Sequence, residues 1–200
     1  MPKVFVFDLG GVLIDWDPRY LYQHVFDTQA EMDFFLTEVC SPTWNLQQDR
    51  GRSFREAIVA LQAQYPNYSR EIALFWERWP DMLKGEIAGT AKIVQALQQH
   101  YLVYALSNWS AETFPLLQQH YAFMRNFDGI VLSGEEGMIK PEAGIFEVLL
   151  NRYNLLPQDC VFIDDNRVNV EMALQLGFLA VHFTTAEALE KDLRHLGFMF

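Results

Sequence analysis

The chain has 200 residues, of which half are apolar and 14% are aromatic; this composition supports a sizeable core and excludes global disorder. Its formal charge of −11 disfavours nucleic-acid binding, because an acidic surface repels a phosphate backbone. No apolar run reaches the ~18 residues that span a bilayer, and the N-terminal apolar run is too short for a signal peptide. We therefore expect a cytoplasmic protein, monomeric or homodimeric, with neither a membrane nor a nucleic acid as partner.

Short apolar runs bounded by turn residues predict five strands. They cover residues 3–8, 102–106, 129–132, 160–163 and 179–183. Helical patterns lie between the later runs, and we expect Thr90 to cap one helix, Pro141 to open a second and Gly177 to end a third. Strands that alternate with helices indicate an α/β fold with a mainly parallel sheet covered on both faces.

Residues 18–82 show a different pattern, with helical spacing and no strand. The predicted helices cover 20–26, 32–39, 54–61 and 72–79, and turns separate them at 41–42, 50–52 and 65–67. We therefore expect a small all-helical cap at 16–83, inserted after the first strand, while residues 1–15 and 84–200 form the core domain.

Polar residues lie where several predicted strands end. Asp8 ends the first strand, Ser107 follows the second, and Asp164-Asp165 follow the fourth. Ligands of parallel sheets bind beyond the carboxyl ends of the strands, so we expect these side chains to share one site.

Four short motifs follow one another along the chain. They are Phe-Asp-Leu-Gly-Gly-Val-Leu at 7–13, Ser-Asn at 107–108, Lys-Pro at 140–141 and Phe-Ile-Asp-Asp-Asn at 162–166. In order and spacing they resemble the motifs of the haloacid dehalogenase superfamily. The resemblance implies a Rossmann-like three-layer sandwich with a helical cap of the C1 type between the first two motifs. It is nearest to the Asp-Leu-Gly-x-Val branch, which includes sugar-1-phosphate phosphatases and resembles the phosphatase domain of some epoxide hydrolases.

This resemblance implies that Asp8 is a nucleophile that forms an aspartyl-phosphate, which water then opens. It implies that Mg²⁺ is bound by the side chains of Asp8 and Asp165 and by the backbone carbonyl of Gly10. Asp164 would be either a further ligand or an acid that contacts the ligands without binding the ion. The residues themselves favour a bound cation. Two carboxylates ~4 Å apart repel each other by about 4 kcal/mol at an effective dielectric of 20, and a cation between them offsets this repulsion. Oxygen ligands without His or Cys suit a hard cation such as Mg²⁺.

The resemblance also assigns the binding of a phosphate group. Ser107, the backbone amide of Asn108 and Lys140 would hold the phosphate oxygens, with Lys140 as a charge clamp. Asn169 occupies the position at which many relatives carry a further carboxylate. The implied substrate is a small phosphorylated metabolite.

One position departs from the pattern of the superfamily. Most of its phosphatases carry, two residues after the nucleophile, an Asp that acts as general acid and base, whereas this chain has Gly10. Such help is worth ~10²–10⁴-fold in rate. One explanation is that Asp15 or Asp17 serves as the general acid, although a role in the turn before the next helix accounts better for the presence of both residues. The other explanation is that the leaving group of the substrate needs little protonation. The second case favours sugar 1-phosphates and aryl phosphates over alkyl phosphates.

Two other functions are compatible with Gly10. A metal-free 2-haloacid dehalogenase also uses a carboxylate nucleophile without the second Asp, but the pair Asp164-Asp165 is an electrostatic burden without a metal. A non-catalytic ligand-binding protein is the other alternative, and the intact Asp8, Lys140 and Asp165 disfavour it. The cap is expected to select the substrate, with wall candidates Trp16, Trp44, Asp49, Arg50 and Arg52.

Overall fold

The structure, a computed structural model, describes residues 3–199 and is built on a five-stranded parallel sheet. The strands in chain order are β1 (Val4–Phe7), β2 (Ile14–Trp16), β3 (Leu83–Glu86), β4 (Leu102–Ser107), β5 (Gly129–Leu132), β6 (Cys160–Asp164) and β7 (Leu179–His182). The main sheet has the order β5-β4-β1-β6-β7 with parallel pairing throughout, and β2 and β3 form a separate antiparallel ribbon. All five predicted strands are present, and the predicted α/β fold class is confirmed.

The sheet is covered on both faces. Side chains alternate along a strand, so Phe5 and Phe7 of β1 belong to one buried apolar cluster while Val4 and Val6 belong to another. Burial on both sides explains why the strands appear in the sequence as unbroken apolar runs.

Eleven α-helices occur within residues 3–199. They are α1 (Arg19–Tyr22), α2 (Gln29–Phe34), α3 (Pro42–Asp49), α4 (Phe54–Gln64), α5 (Ser69–Glu77), α6 (Thr90–Leu97), α7 (Phe114–His120), α8 (Ser133–Glu136), α9 (Ala143–Tyr153), α10 (Arg167–Gln175) and α11 (Ala186–His195). A π-helical turn, Phe35–Val39, continues α2. Within the described residues, no helix combines the length and apolar character needed to cross a membrane.

Two of the predicted helix starts are wrong. Thr90 does not cap α6: Gly89 occupies the N-cap position, and the buried Thr90 hydroxyl has no hydrogen-bond partner. Pro141 does not open α9, which begins at Ala143 after the N-cap residue Glu142. The prediction for Gly177 is confirmed, because it follows α10 with a φ of 92°, a conformation that favours glycine.

Residues 18–82 are helical as predicted, but the sequence reasoning missed helix α3 within this segment and the ribbon β2–β3 that flanks it. Ser41 does more than form a turn: its hydroxyl accepts a hydrogen bond from the Trp44 amide and caps α3, with Pro42 at the first helical position. The ribbon β2–β3 crosses both expected domain boundaries, at 15/16 and 83/84. We propose that this ribbon is the two-stranded connection between the core and the cap.

Candidate active site

The parallel pairing of three neighbouring strands gathers the polar residues at one edge of the sheet. Strand β1 lies between β4 and β6, so Asp8, which follows β1, has Ser107 on one side and Asp164 on the other. The carboxylates of Asp8, Asp164 and Asp165 each place one oxygen within 4.8 Å of the others. The structure thus brings together the residues that the sequence singles out at strand ends.

The Asp8 carboxylate is 8% exposed and bonded on both oxygens. Its Oδ1 accepts from the Leu9 amide at 2.7 Å and from the Ser107 hydroxyl at 2.6 Å. Its Oδ2 lies 3.0 Å from Lys140 Nζ. Burial raises the pKa of Asp8 to about 7, with Lys140 lowering it and Asp164 raising it further. A carboxylate in this setting needs cations to stay ionised.

Lys140 is the buried cation of the site. Its Nζ lies 2.6 Å from Asp164 Oδ2 as well as 3.0 Å from Asp8. Burial alone lowers the pKa of Lys140, but the Asp8 and Asp164 carboxylates outweigh this and raise it above its ordinary value. The Asn108 side chain fixes the lysine backbone, because its amide donates to the Lys140 carbonyl at 3.0 Å and its Oδ1 accepts from the Lys140 amide at 2.8 Å. Sequence reasoning missed this role of Asn108.

Asp164 and Asp165 differ in what surrounds them. Asp164 is fully buried and accepts hydrogen bonds from the Asn166 amide at 2.8 Å and from the Asn169 side chain at 3.0 and 3.1 Å. Asp165 is exposed, and a Cβ placed on Gly11 would lie 2.3 Å from its Oδ2. Desolvation and the neighbouring Asp164 raise the pKa of Asp165.

The donor set fits a divalent cation. Three carboxylates and one lysine carry a formal charge of −2, which one divalent ion cancels. The candidate ligands are all oxygens, as hard cations such as Mg²⁺ require. Gly10 follows Asp8 by two residues and lines the same cavity.

The surroundings of Gly10 leave little room for a side chain at this position. A Cβ at this position would lie 3.3 Å from Cζ3 of Trp109, so a side chain here would crowd the indole unless the ring moved by a few tenths of an ångström. The two suggested substitutes are engaged elsewhere. Asp15 accepts from the Tyr20 hydroxyl at 2.8 Å, and Asp17 accepts from the Arg19 amide at 2.8 Å, which is turn chemistry. Neither lines the cavity that contains Asp8.

That cavity has a volume of about 120 Å³ and lies between the sheet edge and the helical segment. It is lined by Asp8, Gly10, Trp16, Asn45, Asp49, Phe54, Trp79, Ser107, Asn108, Trp109 and Thr113. A second cavity of about 470 Å³ adjoins it and shares Trp16, Asn45 and Asp49. We call them the catalytic cavity and the outer cavity.

Two of the five wall candidates line the catalytic cavity and three do not. Trp16 and Asp49 line it. Trp44 instead packs edge-on against Phe75 in the aromatic core of the helical segment. Arg50 pairs with Glu142, and Arg52 donates to Gln48. The sequence reasoning also missed Asn45, Phe54, Trp79, Trp109 and Thr113, which reach the cavity only through tertiary packing.

Comparison with known proteins places this geometry in a family. A family model for haloacid dehalogenase-like hydrolases matches residues 2–177. The chain is 30% identical to the sesquiterpene phosphatase astK of Aspergillus oryzae over 97% of this chain and 96% of that protein. It is 24% identical to D-ribitol-5-phosphate phosphatase of Bacteroides thetaiotaomicron over 89% of this chain and 90% of that protein.

A solved structure shows the same fold. The magnesium complex of a haloacid dehalogenase family enzyme from Bacteroides thetaiotaomicron superposes with a TM-score of 0.76 at 23% identity, covering 96% of this chain and 98% of that one. The resemblance carried by the four sequence motifs is therefore confirmed: the chain belongs to the haloacid dehalogenase-like hydrolases.

Proposed function

We propose that the protein is a Mg²⁺-dependent phosphate monoester hydrolase that works through an aspartyl-phosphate on Asp8. The observation that carries the proposal is the contact of one buried lysine with two carboxylates, Asp8 at 3.0 Å and Asp164 at 2.6 Å, beside an all-oxygen donor set. Its full-length curated relatives include phosphatases, which supports the same reaction.

Each residue has a defined task in this proposal. An Asp8 oxygen attacks phosphorus, the ester P–O bond breaks, and the electron pair leaves with the alcohol oxygen. Ser107 donates to a phosphate oxygen, as does the Asn108 amide, and the Lys140 ammonium balances the charge of the phosphate. Water then attacks the phosphorus of the aspartyl-phosphate and frees Asp8.

Asp8, Asp164, Asp165 and the Gly10 carbonyl would hold Mg²⁺, which supplies charge neutralisation for the phosphate. Without the ion, the three carboxylates and Lys140 leave a net charge of −2 in a largely buried site. This is the main argument against the metal-free dehalogenase, since uncompensated buried charge is strongly destabilising. The complete set of Asp8, Lys140 and Asp165 argues against a purely ligand-binding protein.

The substrate is proposed to be a small phosphorylated metabolite whose alcohol part lies against the helical segment at 16–83. Three Trp rings and Phe54 line the catalytic cavity, and such walls suit a ring or an apolar skeleton. Sugar 1-phosphates are the first candidates, because an anomeric oxygen leaves with less need of a proton. A terpenoid alcohol phosphate is the second candidate, supported by the aromatic walls and the sesquiterpene phosphatase relative.

The direct test measures phosphate release with Mg²⁺ and with EDTA. The panel is p-nitrophenyl phosphate, glucose 1-phosphate, glucose 6-phosphate and farnesyl monophosphate. Asp8→Asn tests the nucleophile, and Asp33→Asn, which removes an exposed carboxylate paired with Arg19, is the matched control. We expect release that needs both the metal and Asp8 and is unaffected by Asp33→Asn. Chloride release from 2-chloropropionate without phosphate release would instead favour the dehalogenase. Inactivity in both assays would favour the non-catalytic ligand-binding protein.

A further inference from the structure

The proposed chemistry lacks a proton donor for the leaving oxygen at the usual place. Gly10 has no side chain, and Trp109 packs closely against it, with a ring carbon 3.3 Å from the position that a Cβ would take. Asp8, the proposed nucleophile, is the one carboxylate on the core side of the cavity lining within the described residues, so a further carboxylic acid at this cavity has to come from the helical segment.

Asp49 is the one carboxylate of the helical segment that lines the catalytic cavity, within the described residues. It also lines the outer cavity, together with Trp16 and Asn45. The phosphate has to lie beside Asp8 and Lys140, and the outer cavity has room for the rest of the substrate. The bridging oxygen then lies near the shared wall, where Asp49 is.

The backbone of Asp49 is anchored to the sheet rather than being part of a free loop. Asp49 is the last residue of α3, and its carbonyl accepts a hydrogen bond from the Ser133 hydroxyl, directly after β5. The same hydroxyl oxygen accepts from the Trp109 amide at 2.9 Å. A Cβ on Gly51 would lie 3.0 Å from the Gly134 carbonyl, so the chain after α3 is packed closely on this edge.

The surroundings of Asp49 favour its neutral form. The C-terminal end of a helix disfavours an anion, and the charged group that shares the cavity lining with Asp49 is another acid, Asp8. The two neighbouring arginines are engaged elsewhere, Arg50 with Glu142 and Arg52 with Gln48. Asn45 donates to Asp49 Oδ2 at 3.2 Å and orients the carboxyl group. Burial raises the pKa of Asp49 to about 8, opposed by a hydrogen bond from the Ser110 amide and assisted by Asp8.

We propose that Asp49 is the general acid and base of this active site, taking the place of the side chain that Gly10 lacks. As the P–O bond breaks, the Asp49 carboxyl gives its proton to the leaving alcohol oxygen. The Asp49 carboxylate then takes a proton from the water whose oxygen attacks the phosphorus of the aspartyl-phosphate. The bond between phosphorus and the Asp8 oxygen breaks, its electron pair returns to Asp8, and phosphate leaves, so that Asp8 is again a carboxylate and Asp49 again a carboxyl group. The inference rests on the proposed phosphatase function and adds the missing proton carrier.

The test separates the acid role from the base role by using two leaving groups. Phosphoryl transfer to Asp8 governs kcat/KM, and an alkyl phosphate such as glucose 6-phosphate needs a proton donor in that step, whereas p-nitrophenyl phosphate needs almost none. For Asp49→Asn we expect kcat/KM to fall ~10²–10⁴-fold on glucose 6-phosphate and less than about tenfold on p-nitrophenyl phosphate. The base role predicts that the variant shows a pre-steady-state burst of p-nitrophenol followed by slow turnover.

The pH profile gives a readout that a structural role would not change. Wild-type kcat/KM on glucose 6-phosphate should decline above about pH 8 as Asp49 loses its proton, and Asp49→Asn should lack this decline. Asp49→Glu, which keeps an acid, should restore part of the decline and of the rate. Asp15→Asn is the matched control, because Asp15 lies outside both cavities and binds Tyr20, and it should behave like the wild type.

The two proposals fail in distinguishable ways. An inactive wild-type chain overturns the phosphatase proposal and this one with it. An active wild-type chain overturns this proposal alone if Asp49→Asn loses the same factor on both substrates, keeps the alkaline decline, or turns over glucose 6-phosphate at the wild-type rate.

Discussion

The two walls of the catalytic cavity are built on different principles. On the sheet side, the described polar groups bind one another: Asp8, Ser107, Lys140 and Asp164 are joined by contacts of 2.6–3.0 Å. On the opposite side the wall is mainly aromatic, with Trp16, Phe54 and Trp79, and within the described residues the buried indole nitrogen of Trp16 has no hydrogen-bond partner. From this difference we expect the sheet edge to supply the chemistry and the aromatic wall to select the substrate.

The largest effect is expected from removing the buried cation of the sheet side. Lys140→Met keeps the length of the side chain but leaves Asp8 and Asp164 without their positive partner. We expect activity to be lost and the free energy of unfolding to fall by about 3–5 kcal/mol, measured by urea denaturation in EDTA. Lys92→Met, on the exposed surface, is the control and should change the free energy of unfolding by less than about 0.5 kcal/mol. A Lys140→Met variant as stable as the wild type would contradict the importance of this network.

The second prediction concerns the binding of Mg²⁺ and compares two glycines that have similar φ angles. Gly11 has a φ of 73° and Gly137 a φ of 70°, so alanine should cost about 1–2 kcal/mol of stability at either position. A Cβ meets the Asp165 carboxylate at 2.3 Å only at Gly11, because at Gly137 nothing lies within 4 Å. We therefore expect Gly11→Ala, but not Gly137→Ala, to raise the Mg²⁺ concentration for half-maximal activity about 10–100-fold. Equal magnesium dependence in the two variants would show that Asp165 is not a ligand.

These two predictions also show what the sequence can reveal. The strands are buried on both faces and the motif residues sit where they end, so the apolar runs and the parallel topology alone bring Asp8, Ser107 and Asp164 together. The sequence suggests Asp49 as a wall candidate, but its position relative to Asp8 could not be predicted from the strand ends and the topology. It depends on how the end of α3 packs on Ser133, 84 residues further along the chain, and nothing in the local pattern around Ser41-Pro42 indicates that contact.

A smaller effect is expected on stability at the aromatic wall. The pKa of Asp49 is raised to about 8 in the folded chain, so the folded state keeps a proton that the unfolded chain loses above about pH 4. The contribution of this bound proton to the stability of the folded chain is therefore present at low pH and is lost as the pH rises towards 8. We expect Asp49→Asn to raise the melting temperature by roughly 2–6 °C at pH 8.5 and to change it little near pH 4. The same shift at both pH values would contradict a neutral Asp49.

The smallest effect is expected from the exposed ion pair between the two sides. Arg50 and Glu142 are 44% and 41% exposed, and solvent screens such a pair. A double-mutant cycle with Arg50→Ala and Glu142→Ala should give a coupling free energy below about 1 kcal/mol. A coupling above about 2 kcal/mol would mean that charge, rather than the apolar contacts, joins the helical segment to the core.

Trapping the phosphorylated intermediate tests whether Asp8 carries the phosphoryl group. The protein is mixed with Mg²⁺ and p-nitrophenyl phosphate, quenched in acid during turnover and reduced with borohydride, which converts an acyl phosphate of aspartate to homoserine. Peptide mass spectrometry then locates the reduced residue. We expect homoserine at position 8, and we expect it to disappear when Mg²⁺ is omitted. Homoserine at position 164 or 165, or turnover with no reduced aspartate, would contradict it.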